Sequence, residues 1–458
     1  MTVDDSTLST APAPPRSRTV LPLSDAIRFR DDPLAFMTEF GQAYGEVAEF
    51  RIGAKPAVLV SGARQIRDVL AAKAGDFDKG DLQRNAVTPV LGRGLLISEG
   101  RLHDVQRKMV APLFAARRLG PHIDRIGGVI ARHLDEWESL GRFELIERVH
   151  RITHDAIAEL LIGGPTGDED RLAAGVTRVF DWEMKRLFSV AAPPLWLPTP
   201  NNRRLRADLA DIRGKVRDFI AERRGRGTPD DLVTALLLAR DDDGRPMSDE
   251  QLVDEVINLW GTSYETNADG QFWAAYSMWR HPEIAERVRA EAEAVCADRP
   301  PGIADLARLP YAAQVFKEAV RLYPPSALLL REAVRDTEIG GYRIKRGSLM
   351  LLAIFAMHRS PRYYEDPLEF RPERFDPALE KSRDRYAYLP FGAGRHVCLG
   401  SSLAVMQGQM FTALLASRGR LEFHVDGPVH PQLLINLRPR GSTVCTYGRR
   451  VVTKAVPR

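Results

Sequence analysis

Apolar residues recur at helical spacing along most of the chain, and only in a few short stretches do they run or alternate as strands do. Asp32-Pro33 reads as an N-cap with a first-turn proline; Leu34, Met37 and Tyr44 follow on one face, and Gly45 ends the helix. Val47 to Ile52 and Ala57 to Ser61 read as strands joined through Gly53 to Pro56, with a helix over Ala63 to Ala71 behind them. Gly80 to Ile97 shows little periodicity and reads as a mobile loop. Helical period then dominates to about Leu330. Ser248 and Gln251 form a candidate capping box opening a helix to Arg280, about 50 Å long at about 1.5 Å per residue. Val253, Val256, Ile257, Trp260, Tyr264, Ala268, Ala275 and Trp279 make that helix a buried one, but Glu265 and Thr266 interrupt its apolar surface. A buried carboxylate and hydroxyl are costly unless paired or used. Thr266 can bond back to the carbonyl of Thr262 and locally open the helix. Tyr311 to Tyr323 is another helix, stopped by Pro324-Pro325. Strand-like segments occupy Ala327 to Leu330, Glu338 to Ile344, Leu349 to Ala353, Leu433 to Leu437 and Thr443 to Tyr447. The pattern predicts a mainly α protein with small β-sheets, of the α+β class.

Length changes this picture little. The size prior for 458 residues is about three domains, yet no linker divides the chain. Gly163-Gly164-Pro165, Gly225 to Pro229 and Asp241 to Pro246 are short, and each separates two helical segments. One large domain over residues 23–458 is expected, preceded by a polar, disordered segment over 1–22. A net charge of +4 gives no case for nucleic acid. The first thirty residues hold no apolar run fit for a signal peptide or membrane anchor. Three cysteines far apart, Cys296, Cys398 and Cys445, argue against a disulfide framework and fit a reducing, cytoplasmic setting.

Candidate chemistry concentrates in Phe391 to Gly400, Phe-Gly-Ala-Gly-Arg-His-Val-Cys-Leu-Gly. Glycines 392, 394 and 400 let the backbone turn tightly around Cys398 and approach a flat ligand. Leu403, Met406, Met410 and Leu414 then repeat at helical spacing, so the cysteine stands at a helix N-terminus, which favours a thiolate. An inert core cysteine leaves the three glycines unexplained. Zinc needs four ligands, and the chain has no Cys-x-x-Cys pair. A nucleophilic cysteine served by His396 and an axial thiolate on haem iron both remain open.

Phe-x-x-Gly-x-His-x-Cys-x-Gly resembles the haem-binding signature of the cytochrome P450 monooxygenases, and the resemblance spans about residues 30 to 450. It implies the cytochrome P450 fold as a single haem-enclosing domain. Matched onto the motif, Cys398 is the axial thiolate of haem b, Phe391 and Gly392 belong to the haem-binding loop, and His396 is a propionate partner. Gly94-Leu95-Leu96 through His103 and Arg107, one helical turn apart, resembles the family's propionate-binding helix, and Arg331 is a further propionate ligand by position. Glu265 and Thr266 match the family's acid-alcohol pair, which delivers protons to dioxygen; Thr262-Ser263 replaces the usual alanine-glycine before it, and Asn267 follows. Glu318, Arg321 and, from Pro372-Glu373-Arg374-Phe375, Arg374 resemble its buried Glu-Arg-Arg network, a structural element.

The family's lid over the substrate corresponds to a region bearing Phe180, Trp182, Phe188 and Trp196. Leu197-Pro198-Thr199-Pro200-Asn201-Asn202-Arg203-Arg204 looks like actinobacterial members that oxidise terpenes. The resemblance therefore implies a monomeric monooxygenase inserting one atom of O2 into a lipophilic small molecule, with a terpenoid as first expectation. No reductase segment follows the haem region, so electrons are expected from a ferredoxin and its reductase, docked on Arg107, Lys108, Lys381, Arg383 and Arg395. A haem-thiolate sensor or isomerase without oxygen activation is the alternative, against which the acid-alcohol pair argues. A cysteine hydrolase would carry no Soret absorbance.

Overall fold

A computed structural model describes residues 11–17, 24–53, 55–164, 167, 175, 178, 179, 182, 193–225, 231–297 and 299–449. Phe180 and Phe188, and most of the loop expected at Gly225 to Pro229, lie outside the described residues.

The longer helices are α1 (Ser24–Asp31), α2 (Pro33–Tyr44), α3 (Gly80–Leu91), α4 (Gly100–Val110), α5 (Ala116–Trp137), α6 (Leu145–Ile162), α7 (Pro200–Gly225), α8 (Asp249–Arg280), α9 (Pro282–Cys296), α10 (Pro310–Leu322) and α11 (Ser401–Arg418). Their starts follow from the sequence. The Asp32 carboxylate accepts the Ala35 N–H at 3.0 Å ahead of Pro33, and the Ser248 hydroxyl accepts the Gln251 N–H at 3.2 Å. Gly45 ends α2 with φ +97°, a conformation that side chains with a Cβ avoid.

The strands are β1 (Val47–Ile52), β2 (Lys55–Val60), β3 (Phe77–Asp78), β4 (Phe143–Glu144), β5 (Leu329–Ala333), β6 (Thr337–Ile339), β7 (Tyr342–Ile344), β8 (Leu349–Leu352), β9 (Gly419–Phe423), β10 (His430–Leu433), β11 (Leu437–Arg440) and β12 (Val444–Arg449). The main sheet runs β1-β2-β8-β5-β3, with β2 and β8 parallel. Its alternation explains why β8 reads as a continuous apolar run. Leu59, Leu349 and Leu351 face Phe36, Phe40 and Phe50, whereas Val58, Val60, Met350 and Leu352 face Ile66, Leu70 and Met357 on the other side. The remaining strands form β4-β12-β9 and the hairpins β6-β7 and β10-β11.

Five expectations are corrected. Residues 80–91, expected as a loop, form α3; Ala86, Val87, Val90 and Leu91 bury one helical stripe, whose packing offsets Pro89 inside the helix. α8 runs unbroken through Glu265 and Thr266. Leu433 to Leu437 is the bend of the β10-β11 hairpin rather than a strand, and Glu338 to Ile344 folds back on itself at Gly340-Gly341. The disorder expected over 1–22 does not hold for residues 12–16: the Glu49 N–H donates to Pro15 O at 2.8 Å, the Arg343 N–H to Pro12 O at 2.9 Å, and Arg16 pairs with Glu49 at 3.0 Å.

Candidate active site

The cysteine loop is held by backbone geometry. Gly392 and Gly394 have φ +68° and +71°. A Cβ on Gly394 would lie 1.9 Å from the carbonyl oxygen of Leu70, so only glycine lets this loop press on the π-helical turn Asp68–Ala72. The Cys398 N–H donates to Phe391 O at 3.0 Å and closes the loop. Gly400 differs: its φ is −81°, and a Cβ there would sit in ordinary contact, 3.9 Å from the Cys398 sulfur.

Cys398 presents accessible surface. Burial nonetheless pushes its thiol pKa up, while the Gly400 N–H and the Arg107 charge pull it down. The two facts agree if the sulfur opens on an interior hollow lined by protein. The helix N-terminus alone therefore does not make the thiolate expected from sequence; a coordinated metal ion deprotonates such a thiol.

Cations gather around this loop. His103, on α4, is 1% exposed, and its ring lies 4.2 Å from that of His396. Arg107, one turn on, donates to Val397 O at 3.0 Å. Arg331 on β5 is 8% exposed and donates to Leu330 O at 2.7 Å. Neither guanidinium has a carboxylate within ion-pair distance among the described residues. Lys79, which follows β3, is buried; its ammonium donates to the carbonyls of Leu96 and Ser98, and its backbone N–H donates to Glu99 at 3.2 Å. Two carboxylates stand at this cluster: Glu99 pairs with His396 at 3.1 Å, and Asp104 lies 3.4 Å from His103 Nδ1. Burial lowers every one of these cations: Lys79 to about 7, with Arg331 and Arg395 adding to the shift, and His103 to about 4, with His396 adding. Arg331, Arg107 and His396 move the same way for the same first reason. Buried guanidiniums spent on main-chain carbonyls fit a ligand that brings its own carboxylates.

Along α8, every residue from Leu252 to Met278 is buried except Thr262, Ser263 and Thr266, which fall within one turn on one face. Thr266 donates its hydroxyl to Thr262 O at 2.8 Å, the back-bond expected, and Thr262 does the same to Asn258 O at 2.7 Å. Glu265 points elsewhere. It is 1% exposed, pairs with Arg438 on β11 and accepts from Asn436 at 3.2 Å. Asn267, the odd residue after the pair, bonds to Gln407 of α11 instead of facing the site.

One to three turns before Thr266, the side chains Ile257 and Trp260 line an apolar cleft with Val90, Leu91, Val216 and Phe219. Trp182 donates to Asn202 at 3.2 Å and Trp196 is exposed, so neither lines that cleft. The Glu-Arg-Arg network is present as geometry. Glu318 and Arg321 are fully buried and bidentate at 2.6 and 2.8 Å; Arg374 reaches Glu318 at 3.3 Å. Arg321 also donates to His358 O, Pro367 O and Glu369 O, tying α10 to the segment that leads to Cys398.

Lys79, Glu99 and Arg438 were not legible beforehand. A single lysine or glutamate in a short connection has no periodicity, and Arg438 meets Glu265 from 173 positions further along the chain. The basic residues expected to face a redox partner are partly neutralised: Lys108 pairs with Asp242 at 2.6 Å, Arg395 with Asp104 at 2.7 Å, and Arg383 lies over the rings of Phe375 and Tyr364.

Known proteins define the class this arrangement belongs to, that of the haem-thiolate oxidoreductases. The chain belongs to the cytochrome P450 family, whose model, described as Cytochrome P450, matches residues 12–445. It is 32% identical over 395 residues to cyclooctat-9-en-7-ol 5-monooxygenase of Streptomyces melanosporofaciens, covering 85% of each chain. It is 29% identical to pentalenene oxygenase of Streptomyces avermitilis, covering 88% of this chain and 90% of that one. In fold it is similar to a retinoic-acid-bound cyanobacterial CYP120A1, with a TM-score of 0.86 at 24% identity, covering 96% of this chain and 100% of that one. The protein is therefore a P450 monooxygenase with a haem-thiolate iron, using O2, a redox partner and a lipophilic substrate. Among the described residues no helix is long and apolar enough to cross a membrane.

Proposed function

We propose that this enzyme oxidises a terpenoid, as a cytoplasmic monomer that takes its electrons from a ferredoxin and ferredoxin reductase. The observation that carries the substrate class is the apolar cleft beside α8, whose lining of aliphatic side chains and Trp260 and Phe219 offers shape and apolar surface but little hydrogen bonding. The relatives named for cyclooctat-9-en-7-ol and pentalenene, both terpenoid skeletons, support the same reading.

Cys398 would hold the iron of haem b through its sulfur, and Phe391 and Gly392 would belong to the loop that receives the haem. His103, Arg107, Arg331 and His396 are assigned to the haem carboxylates, and Lys79 joins them on the strength of its burial against carbonyl oxygens alone. When bound, the haem supplies the iron at which dioxygen is activated and an oxygen atom is passed to the substrate. The chain's part is to hold the substrate, exclude water and manage protons. Thr266 keeps its hydroxyl on an accessible face of an otherwise buried helix, and Glu265 is its acid partner. Titrating the purified enzyme with a panel of small terpenoids and fatty acids tests the substrate class. Terpenoids are expected to give the spectral shift caused by displacing iron-bound water; a response to fatty acids alone would overturn the assignment.

A further inference from the structure

Thr266 has its one hydroxyl proton engaged, because it donates to Thr262 O at 2.8 Å. Thr262 spends its own on Asn258 O at 2.7 Å. Both hydroxyls keep lone pairs and can accept a hydrogen bond, but neither can donate one without breaking its back-bond to α8. The same turn carries a third hydroxyl. Ser263 precedes Thr266 by three residues, a spacing that puts the two on one helix face, and it is partly exposed as the two threonines are. Its side chain makes no hydrogen bond among the described residues, and so lacks the back-bond, here to Leu259 O, that both threonines make.

A serine in a helix interior commonly returns its proton to the carbonyl one turn back. Ser263 keeps that proton uncommitted, on the one stretch of α8 that is not sealed: from Leu252 to Met278 only Thr262, Ser263 and Thr266 escape burial. This stretch is tied to the helix that follows the cysteine loop. Asn267, next to Thr266, bonds to Gln407 on α11, nine residues beyond Cys398. The residue type is also particular to this chain, since Ser263 stands where the family's pattern has glycine, which offers no hydroxyl.

We propose that Ser263 is a further catalytic hydroxyl, the hydrogen-bond donor to the oxygen being reduced, and that Thr266 serves there as an acceptor. The division of labour follows from where the protons already are. Oxygen that has gained a proton becomes a donor, and Thr266 can receive its O–H without giving up the bond to Thr262 O. Oxygen that still carries negative charge needs a donor, and Ser263 has the free one. Ser263 keeps its proton throughout, so no bond forms or breaks at it; the protons consumed come by way of the acid-alcohol pair. The proposal rests on Cys398 holding haem beside this turn.

Carbon monoxide on the reduced holoenzyme is the probe, because its C–O stretching band falls in frequency when a hydrogen-bond donor reaches its oxygen. Ser263→Ala is expected to shift that band to higher frequency and to abolish its sensitivity to D2O, whereas Thr266→Ala is expected to retain the D2O sensitivity. Alanine is the best helix former, so the substitution does not weaken α8. A band unmoved in Ser263→Ala would overturn the proposal. The Soret band of the same samples separates this failure from a failure of haem ligation by Cys398, which would remove the thiolate-type absorbance from wild type as well. In turnover, Ser263→Ala is expected to raise the peroxide released per electron several-fold. A shifted band beside an unchanged peroxide yield would overturn the catalytic role. Weakened binding of a terpene alcohol in Ser263→Ala, with the band unmoved, would make Ser263 a substrate anchor and overturn it too.

Discussion

At the scale of single residues, Lys79 carries the sharpest test of the anion cradle. Burial holds its ammonium near about 7, whereas an unfolded lysine titrates near about 10.4. Between those values the unfolded chain holds a proton that the folded chain lacks. Stability of the haem-free protein therefore rises with pH across that window, by at most about 1.4 kcal/mol per unit, and the gain is lost as pH falls through 7. Comparing wild type with Lys79→Met in urea from about pH 7 to about pH 9 should show wild-type stability rising by about 2 kcal/mol relative to the variant. Haem, by restoring opposite charge, should flatten it. Cys398, His103, Arg107 and His396 could be singled out from sequence because each lies in a local motif that resembles the family's. Lys79 could not, since its meaning comes from what surrounds it after folding. The burial that raises the Cys398 thiol against the pull of the Gly400 N–H and the Arg107 charge is likewise invisible in sequence, where only the helix N-terminus can be read.

At the scale of elements, α10 is joined to the segment before Cys398 by one carboxylate. Glu318 accepts from Arg321, Arg374 and the Arg371 N–H at 2.9 Å while fully buried. Glu318→Gln would leave the Arg321 guanidinium buried against carbonyls, at a cost of about 3–5 kcal/mol. Denaturant unfolding should show a loss of that size together with reduced haem occupancy. A change under about 1 kcal/mol, the usual worth of an exposed pair, would mean that the network is dispensable. The pair Glu318 and Arg321 is visible in sequence as an i, i+3 spacing, and Arg374 only through resemblance. α8 was also legible, because its cap and apolar stripe are local. α3 was not. Its few buried residues make a short stripe broken by Pro89, and the connection after it is fixed by groups far along the chain: the Arg93, Leu95 and Leu96 N–H groups donate to Asp254, Glu255 and Asn258 of α8. Gly94 packs so closely there that a Cβ would lie 2.0 Å from the Asn258 amide.

At the scale of the whole molecule, α8 packs against α11, the helix that follows the cysteine loop, and lines the apolar cleft with Ile257 and Trp260. Electrons must arrive from outside. If an acidic ferredoxin docks on the basic residues near the cysteine loop, raising ionic strength should slow the first electron transfer in stopped-flow reduction; a rate independent of salt would remove that docking face. Existing pairs such as Arg395 with Asp104 make the expected salt response modest, because the partner must displace a carboxylate already present. The central claim is that sulfur from Cys398 binds haem iron. Reducing the purified holoenzyme under carbon monoxide tests it most directly: the account predicts the red-shifted Soret band diagnostic of thiolate ligation, lost in Cys398→Ala. A Soret band typical of histidine ligation, or one unaffected by that substitution, would contradict it.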